Sequence, residues 1–214
     1  MFDSMRRASP DPQAPPGGRS AADIKRSDLI RHAAELFDTH GYHQTSVADI
    51  AAAAGIQKAT LYHYVKSKQD LLFWIHDAFA DEMLARIESR AGTPMTGRQR
   101  LLESMGDVLE VVDSHRGHVR AFWEHHRELG PEQQQRISEK RARIQEHLRS
   151  AIQECVDSGE FRDLDVKMAT FAAFGMVNWS YQWYSPDGPR RPRDIAFLFW
   201  DFIVQGFDAP PAKP

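Results

Sequence analysis

The chain has 214 residues, with 27 Lys and Arg against 30 Asp and Glu, and 42% of it is hydrophobic; that length buries a core without staples. One cysteine, Cys155, excludes an intrachain disulfide scaffold and a four-cysteine zinc site and favours a reducing, cytoplasmic setting. No apolar run approaches the ~20 residues of a membrane-spanning helix, and a formal charge of −3 argues at first sight against a nucleic-acid partner.

Residues 1–20, rich in Pro, Gly, Ser and Arg, are expected to form a disordered tail without the apolar segment of a secretory signal. From residue 21 onward the apolar spacing is helical, and an all-α protein of about nine helices is expected. The first helix covers 21–40, with Ile30, Ala33, Ala34 and Phe37 on one face and Gly41 as its C-terminal stop. Ser46 and Asp49 form a capping box that opens a short second helix through Ala54, and Gly55 turns the chain into a third that carries Leu61 and Val65 inward. Ser67 and Asp70 open a long fourth helix with Leu71, Ile75, Phe79 and Met83 at four-residue spacing.

Five further helices follow: one on Leu101, Met105, Val108 and Val112; one on Val119, Phe122 and Trp123; and a charged one that starts at Gly130-Pro131 and stops at Gly159. An aromatic helix, capped by Asp163 or Asp165, runs without a break through Tyr184. After the turn Ser185-Pro186-Asp187-Gly188-Pro189, the last helix carries Ile195, Leu198, Phe199, Phe202 and Ile203. A second disordered tail is expected over 209–214.

Two short helices joined through glycine and packed on a longer one make a helix-turn-helix unit over 21–70. With Leu61 and Val65 inward, Lys58, Thr60, Tyr62 and His63 are free to meet base edges or phosphates in a groove. Thr45 and Ser46 bring hydroxyls to a helix start, which favours a phosphate, and Lys66 and Lys68 flank the third helix as phosphate clamps. The charge balance is then a local matter. Residues 1–70 carry nine basic and eight acidic side chains, and 56–68 hold three lysines and no acid.

Taken together, Thr45-Ser46-Val47-Ala48-Asp49-Ile50-Ala51, Ala54-Gly55-Ile56 and Thr60-Leu61-Tyr62-His63-Tyr64-Val65-Lys66-Ser67-Lys68 resemble the DNA-binding signature of TetR/AcrR-type transcriptional regulators, and the likeness extends back through Ala33-Ala34-Glu35-Leu36-Phe37 and Gly41-Tyr42. The resemblance implies a dimeric, usually repressing regulator with its third helix in the major groove and DNA contacts at Thr45, Lys58, Thr60, Tyr62, His63 and Lys68. Two departures stand out. Gln57 replaces a small capping residue, which leaves the third helix less well capped, and Val65 replaces a frequent phenylalanine.

The larger part, 71–208, is expected to bind a ligand and to dimerise. Residues 161–207 hold seven of the 12 Phe and three of the five Trp, and Phe197-Leu198-Phe199-Trp200 is apolar all round, so a partner is needed. The expected dimer interface is Tyr181, Tyr184, Phe197, Phe199, Trp200 and Ile203. Aromatic walls with a few polar groups suit a small-molecule pocket, for which the candidates are Phe122, Trp123, His126, Phe174, Asn178, Trp179, Gln182 and Trp183. The run 178–189, with Gln205-Gly206-Phe207, resembles the C-terminal domain of TetR-type regulators that respond to acyl-coenzyme A thioesters. That likeness implies an acyl group among the aromatics, with Arg120, Arg127, Arg162, Arg190, Arg191 and Arg193 as candidates for its phosphates.

No catalytic constellation is present, and Cys155 reads as a buried hydrophobe. Adjacent histidines such as His125 and His126 point about 100° apart on a helix and do not chelate one ion, so neither metal nor cofactor is expected. The expected partners are a double-stranded operator, a second copy of the chain and a small effector, with no membrane. Two alternatives stay open: a drug-type effector of the kind that governs efflux, and a helical enzyme that retains the three-helix unit as a scaffold.

Overall fold

The computed structural model describes residues 21–90 and 93–207, with side chains from residue 25 onward; the tails expected over 1–20 and 209–214 lie outside them. The fold is all-α. Among the described residues ten helices follow in order: α1 (Ala21–His40), α2 (Val47–Ala53), α3 (Lys58–Leu61), α4 (Lys68–Glu88), α5 (Gly97–Ser114), α6 (Arg116–Glu124), α7 (Pro131–Asp157), α8 (Val166–Asn178), α9 (Ser180–Trp183) and α10 (Pro192–Phe207), with a 3₁₀ turn at His126–Glu128 between α6 and α7.

The capping chemistry read from the sequence sets the helix starts. The Ser46 hydroxyl accepts from the Asp49 amide while the Asp49 carboxylate accepts from the Ser46 amide at 2.8 Å, and Ser67 with Asp70 repeats the arrangement at the head of α4. Gly41 ends α1 at a φ of 85°, a conformation that a Cβ would strain. Helix α3 is shorter than the pattern predicts. Gln57 makes no side-chain cap bond, as expected, and the regular part stops at Leu61, the chain continuing to Val65 through turns such as Tyr64 N–H to Leu61 C=O at 2.9 Å. Leu61 and Val65 are nonetheless buried, as their spacing requires, and the smaller Val65 still seals the core.

In the larger part, α5 and α7 pack face to face, α8 and α10 lie against α5, and α4 spans both halves of the molecule. One expectation fails here. The aromatic helix is not continuous: it breaks at Trp179, where the Ser180 hydroxyl donates to the Val177 carbonyl at 2.6 Å, and α9 turns away from α8. No Gly or Pro marks this break.

A charged knot joins α4, α5 and α10. Asp107, fully buried on α5, accepts both arms of Arg90 at 2.6 Å, while Arg193 of α10 reaches Glu110 at 2.6 Å and Glu103 at 2.7 Å. Gly106 lies beneath it, where a Cβ would force the Arg193 guanidinium to shift from its carboxylates.

Candidate nucleic-acid interface and effector cavity

The first three helices assemble one solvent-facing surface around α3. Lys58, Tyr62 and His63 are exposed, Tyr62 by 46%, and the Lys58 ammonium stands 5.9 Å from the Tyr62 ring. Thr60 is half-buried beside them, and Ser46 and Lys66 are exposed at the edges. This is a cationic, aromatic patch that offers donors, acceptors and an apolar ring edge together, the mixture a major groove needs.

One residue assigned to this surface from sequence does not belong to it. Thr45 is only 3% exposed, and its hydroxyl donates to the Gly41 carbonyl at 2.9 Å, with the Leu36 carbonyl at 3.2 Å; it locks the loop between α1 and α2. Lys68, half-buried, donates to the Tyr42 carbonyl at 2.7 Å and lies 4.3 Å above the Tyr42 ring, so its charge also ties down that loop. Conversely, Gln44 and Gln57 are exposed next to these residues in the chain without being singled out by the sequence. A polar side chain in a short loop carries no periodic signal that would mark it.

In the larger part, α4, α5, α6, α7 and α8 enclose a cavity of about 300 Å³. Of the eight candidates for a ligand, Phe122, Trp123, Phe174 and Asn178 line it. The others do not. Trp179 and Trp183 are 62% and 49% exposed, and Gln182 hydrogen-bonds Glu124 at 3.2 Å. His126 sits behind the wall, its ring 6.0 Å from that of His76. Lining residues that the sequence did not reveal include Phe79, Met83, Ile144, Phe171, Arg141 and Gln145. None of the arginines expected to hold phosphates lines the cavity; Arg120 pairs with Asp38 at 2.6 Å, Arg162 donates to the Gly206 carbonyl, and Arg193 belongs to the charged knot.

Deep burial governs the nearby histidines. His76 is completely buried, with Nδ1 2.9 Å from the Leu72 carbonyl, and desolvation lowers its pKa to about 4. It therefore acts as a neutral ring, packed 5.2 Å from Phe122. His126 is lowered as well, first by burial and then by Arg141.

The same helix that walls the cavity also grips the reading unit. On α6, Phe122 and Trp123 face the cavity, Arg120 pairs with Asp38 of α1, and Gly117 lies so close to α1 that a Cβ would stand 2.7 Å from the Ala34 carbonyl. Just beyond it, His125 stacks on Tyr42 at 5.3 Å, and Gln69 hydrogen-bonds the Glu128 carbonyl.

The expected dimer residues divide likewise. Tyr181, Tyr184 and Ile203 are buried within the protomer, Tyr184 donating to Asp113 at 2.6 Å, so they are not surface residues. Phe199 and Trp200 are half-buried, and Phe197 is exposed. The apolar face that remains uncovered is instead formed by Met168, Trp179, Trp183, Phe197, Leu198 and Phe202, from α8, α9 and α10. Among the described residues no helix is long and apolar enough to cross a membrane.

Comparison with known proteins places this architecture. Residues 29–74 match the bacterial regulatory proteins of the tetR family, and 94–207 match the tetracyclin repressor-like C-terminal domain. The transcriptional repressor KstR2 of Rhodococcus jostii (strain RHA1) is 27% identical over 205 residues, which is 94% of this chain and 98% of that protein. The crystal structure of the TetR-family regulator PfmR from Thermus thermophilus superposes with a TM-score of 0.77 at 30% identity, covering 83% of this chain and 97% of the other. AibR, solved in complex with isovaleryl coenzyme A and operator DNA, gives a TM-score of 0.75 at 28% identity over 87% and 99% of the two chains. With both family domains matched in order on one all-helical fold, the chain belongs to the TetR family: it is a DNA-binding transcriptional regulator and not an enzyme.

Proposed function

We infer that the protein is a cytoplasmic homodimeric repressor that reads an inverted-repeat operator with residues 21–70 and is released when an effector fills the cavity of 71–208. The surface of Ser46, Lys58, Thr60, Tyr62, His63 and Lys66 makes the DNA contacts. The exposed apolar face of α8, α9 and α10 joins two copies into a bundle, which removes its large aromatic side chains from water.

The observation that carries the reading is the double role of α6, which lines the cavity with Phe122 and Trp123 and holds the reading unit through Arg120 and Gly117. A ligand that displaces the cavity wall displaces α1 with it, and the two reading units then no longer match grooves spaced one helical turn apart. The effector class favoured is an acyl-coenzyme A thioester with a short or medium acyl group. The likeness to AibR, solved with isovaleryl coenzyme A, supports this, and so does a cavity with room for an acyl chain but not for the whole thioester.

The test is linkage. Binding to the DNA upstream of the protein's own reading frame is followed by fluorescence anisotropy with and without isovaleryl and octanoyl coenzyme A. A thioester that weakens DNA binding must itself bind the DNA complex more weakly by the same factor. Equal thioester affinity with and without operator removes the mechanism.

A further inference from the structure

Resting on that sensor reading, we propose that the cavity selects an oxyanion carried on an apolar body, and that Arg141 is the residue that holds the oxyanion. No lining residue is acidic. Arg141, on α7, lies against the wall with its guanidinium 4.5 Å from the Trp123 ring and 5.0 Å from that of Phe122. Among the described residues it faces no carboxylate within ion-pair distance, whereas Arg86, Arg90, Arg120, Arg143 and Arg193 each have one. A cation held in an apolar wall without a counterion is costly to the protein on its own and becomes favourable when a ligand brings the opposite charge.

A second, independent group points the same way. The Trp123 indole N–H is buried and has no acceptor. Two donors without protein acceptors therefore belong to adjacent lining residues of a space otherwise walled by Phe79, Met83, Phe171 and Phe174, and Gln145, one helical turn after Arg141, adds an amide. A planar guanidinium fixed by stacking presents its fork to a carboxylate or a phosphate rather than to a hydroxyl. A cavity of about 300 Å³ lies at the small end of ligand pockets and suits a compact apolar body such as a medium acyl chain. The oxyanion has two possible sources: the carboxylate of a free acid inside the cavity, or a phosphate of a thioester whose acyl chain enters it.

The experiment measures binding of octanoate, octanol and octanoyl coenzyme A to the full-length protein by calorimetry, for the wild type, Arg141→Gln and Arg141→Lys. Charged hydrogen bonding to a half-buried guanidinium corresponds to about tenfold or more in affinity. The expected result is that octanoate or the thioester binds the wild type at least that much more tightly than octanol. Arg141→Gln removes the preference, lowering affinity for the anionic ligand far more than for octanol, and Arg141→Lys retains part of it. Preference for octanoate identifies the carboxylate as the anchor; preference for the thioester alone identifies its phosphates. Equal binding of acid, thioester and alcohol, or a preference that survives Arg141→Gln, overturns the assignment while leaving the sensor reading intact. Failure of all three probes to bind overturns the sensor reading and this proposal with it.

Discussion

At the scale of single residues, the chain separates side chains that face partners from those that hold the frame, and the division does not follow chemical type. Thr45 and Ser46 are neighbours with the same functional group, yet one hydroxyl is buried against two carbonyls while the other caps α2 at the surface. Lys58 and Lys68 differ in the same way. His76 is the clearest case of a titratable group used as packing. Its pKa falls from the usual 6.5 to about 4 because burial penalises the imidazolium. Between those values the unfolded chain binds the proton and the folded chain does not, so stability is complete above about pH 6.5 and declines as the pH falls toward 4. Urea unfolding should show the wild type losing about 2 kcal/mol from this group between pH 7.5 and pH 5. The His76→Phe variant, which keeps an aromatic ring against Phe122, should lose correspondingly less; identical pH dependence in the two proteins would contradict the assignment.

At the scale of elements, the charged knot around Asp107 fixes α10 to α4 and α5, and through them sets the angle at which the aromatic face is presented. Removing the buried carboxylate leaves Arg90 without its bidentate partner, so Asp107→Ala should cost about 3 to 5 kcal/mol in a denaturant titration; a loss under about 1 kcal/mol would show that the knot is solvated. The helix starts were legible in the sequence because capping is local: Ser46 with Asp49, Ser67 with Asp70, and Gly130-Pro131 each declare their role within four residues. The break at Trp179 was not. Val177, Tyr181 and Tyr184 continue a helical period across it, and no breaker residue interrupts them, so only packing against α5 and α6 decides it. The consequence for the site is large. The aromatic residues take the opposite parts from those expected: Tyr181 and Tyr184 are buried, the Tyr184 hydroxyl bonding Asp113, and Trp179 and Trp183 are exposed. Arg141 was hidden for a related reason: on a helix as charged as α7, nothing in the sequence sets apart the arginine that lines the cavity.

At the scale of the whole molecule, an overall charge of −3 coexists with DNA binding because the acidic residues are concentrated away from α3, and the lysine-bearing surface doubles when two copies meet. In the proposed mechanism the dimer sets the distance between reading surfaces, α6 relays the state of the cavity to each of them, and the effector acts by changing that distance. The account therefore depends on a paired reading of DNA through α3. Selection of binding sites from randomised duplex DNA by the full-length protein tests this most directly. The expected outcome is an enriched inverted repeat whose half-sites are centred one helical turn apart or a multiple of it, lost when Lys58→Ala or Tyr62→Ala protein, still dimeric, is used in its place. Enrichment of no symmetric sequence, or of the same sequence by the wild type and both variants, would contradict it.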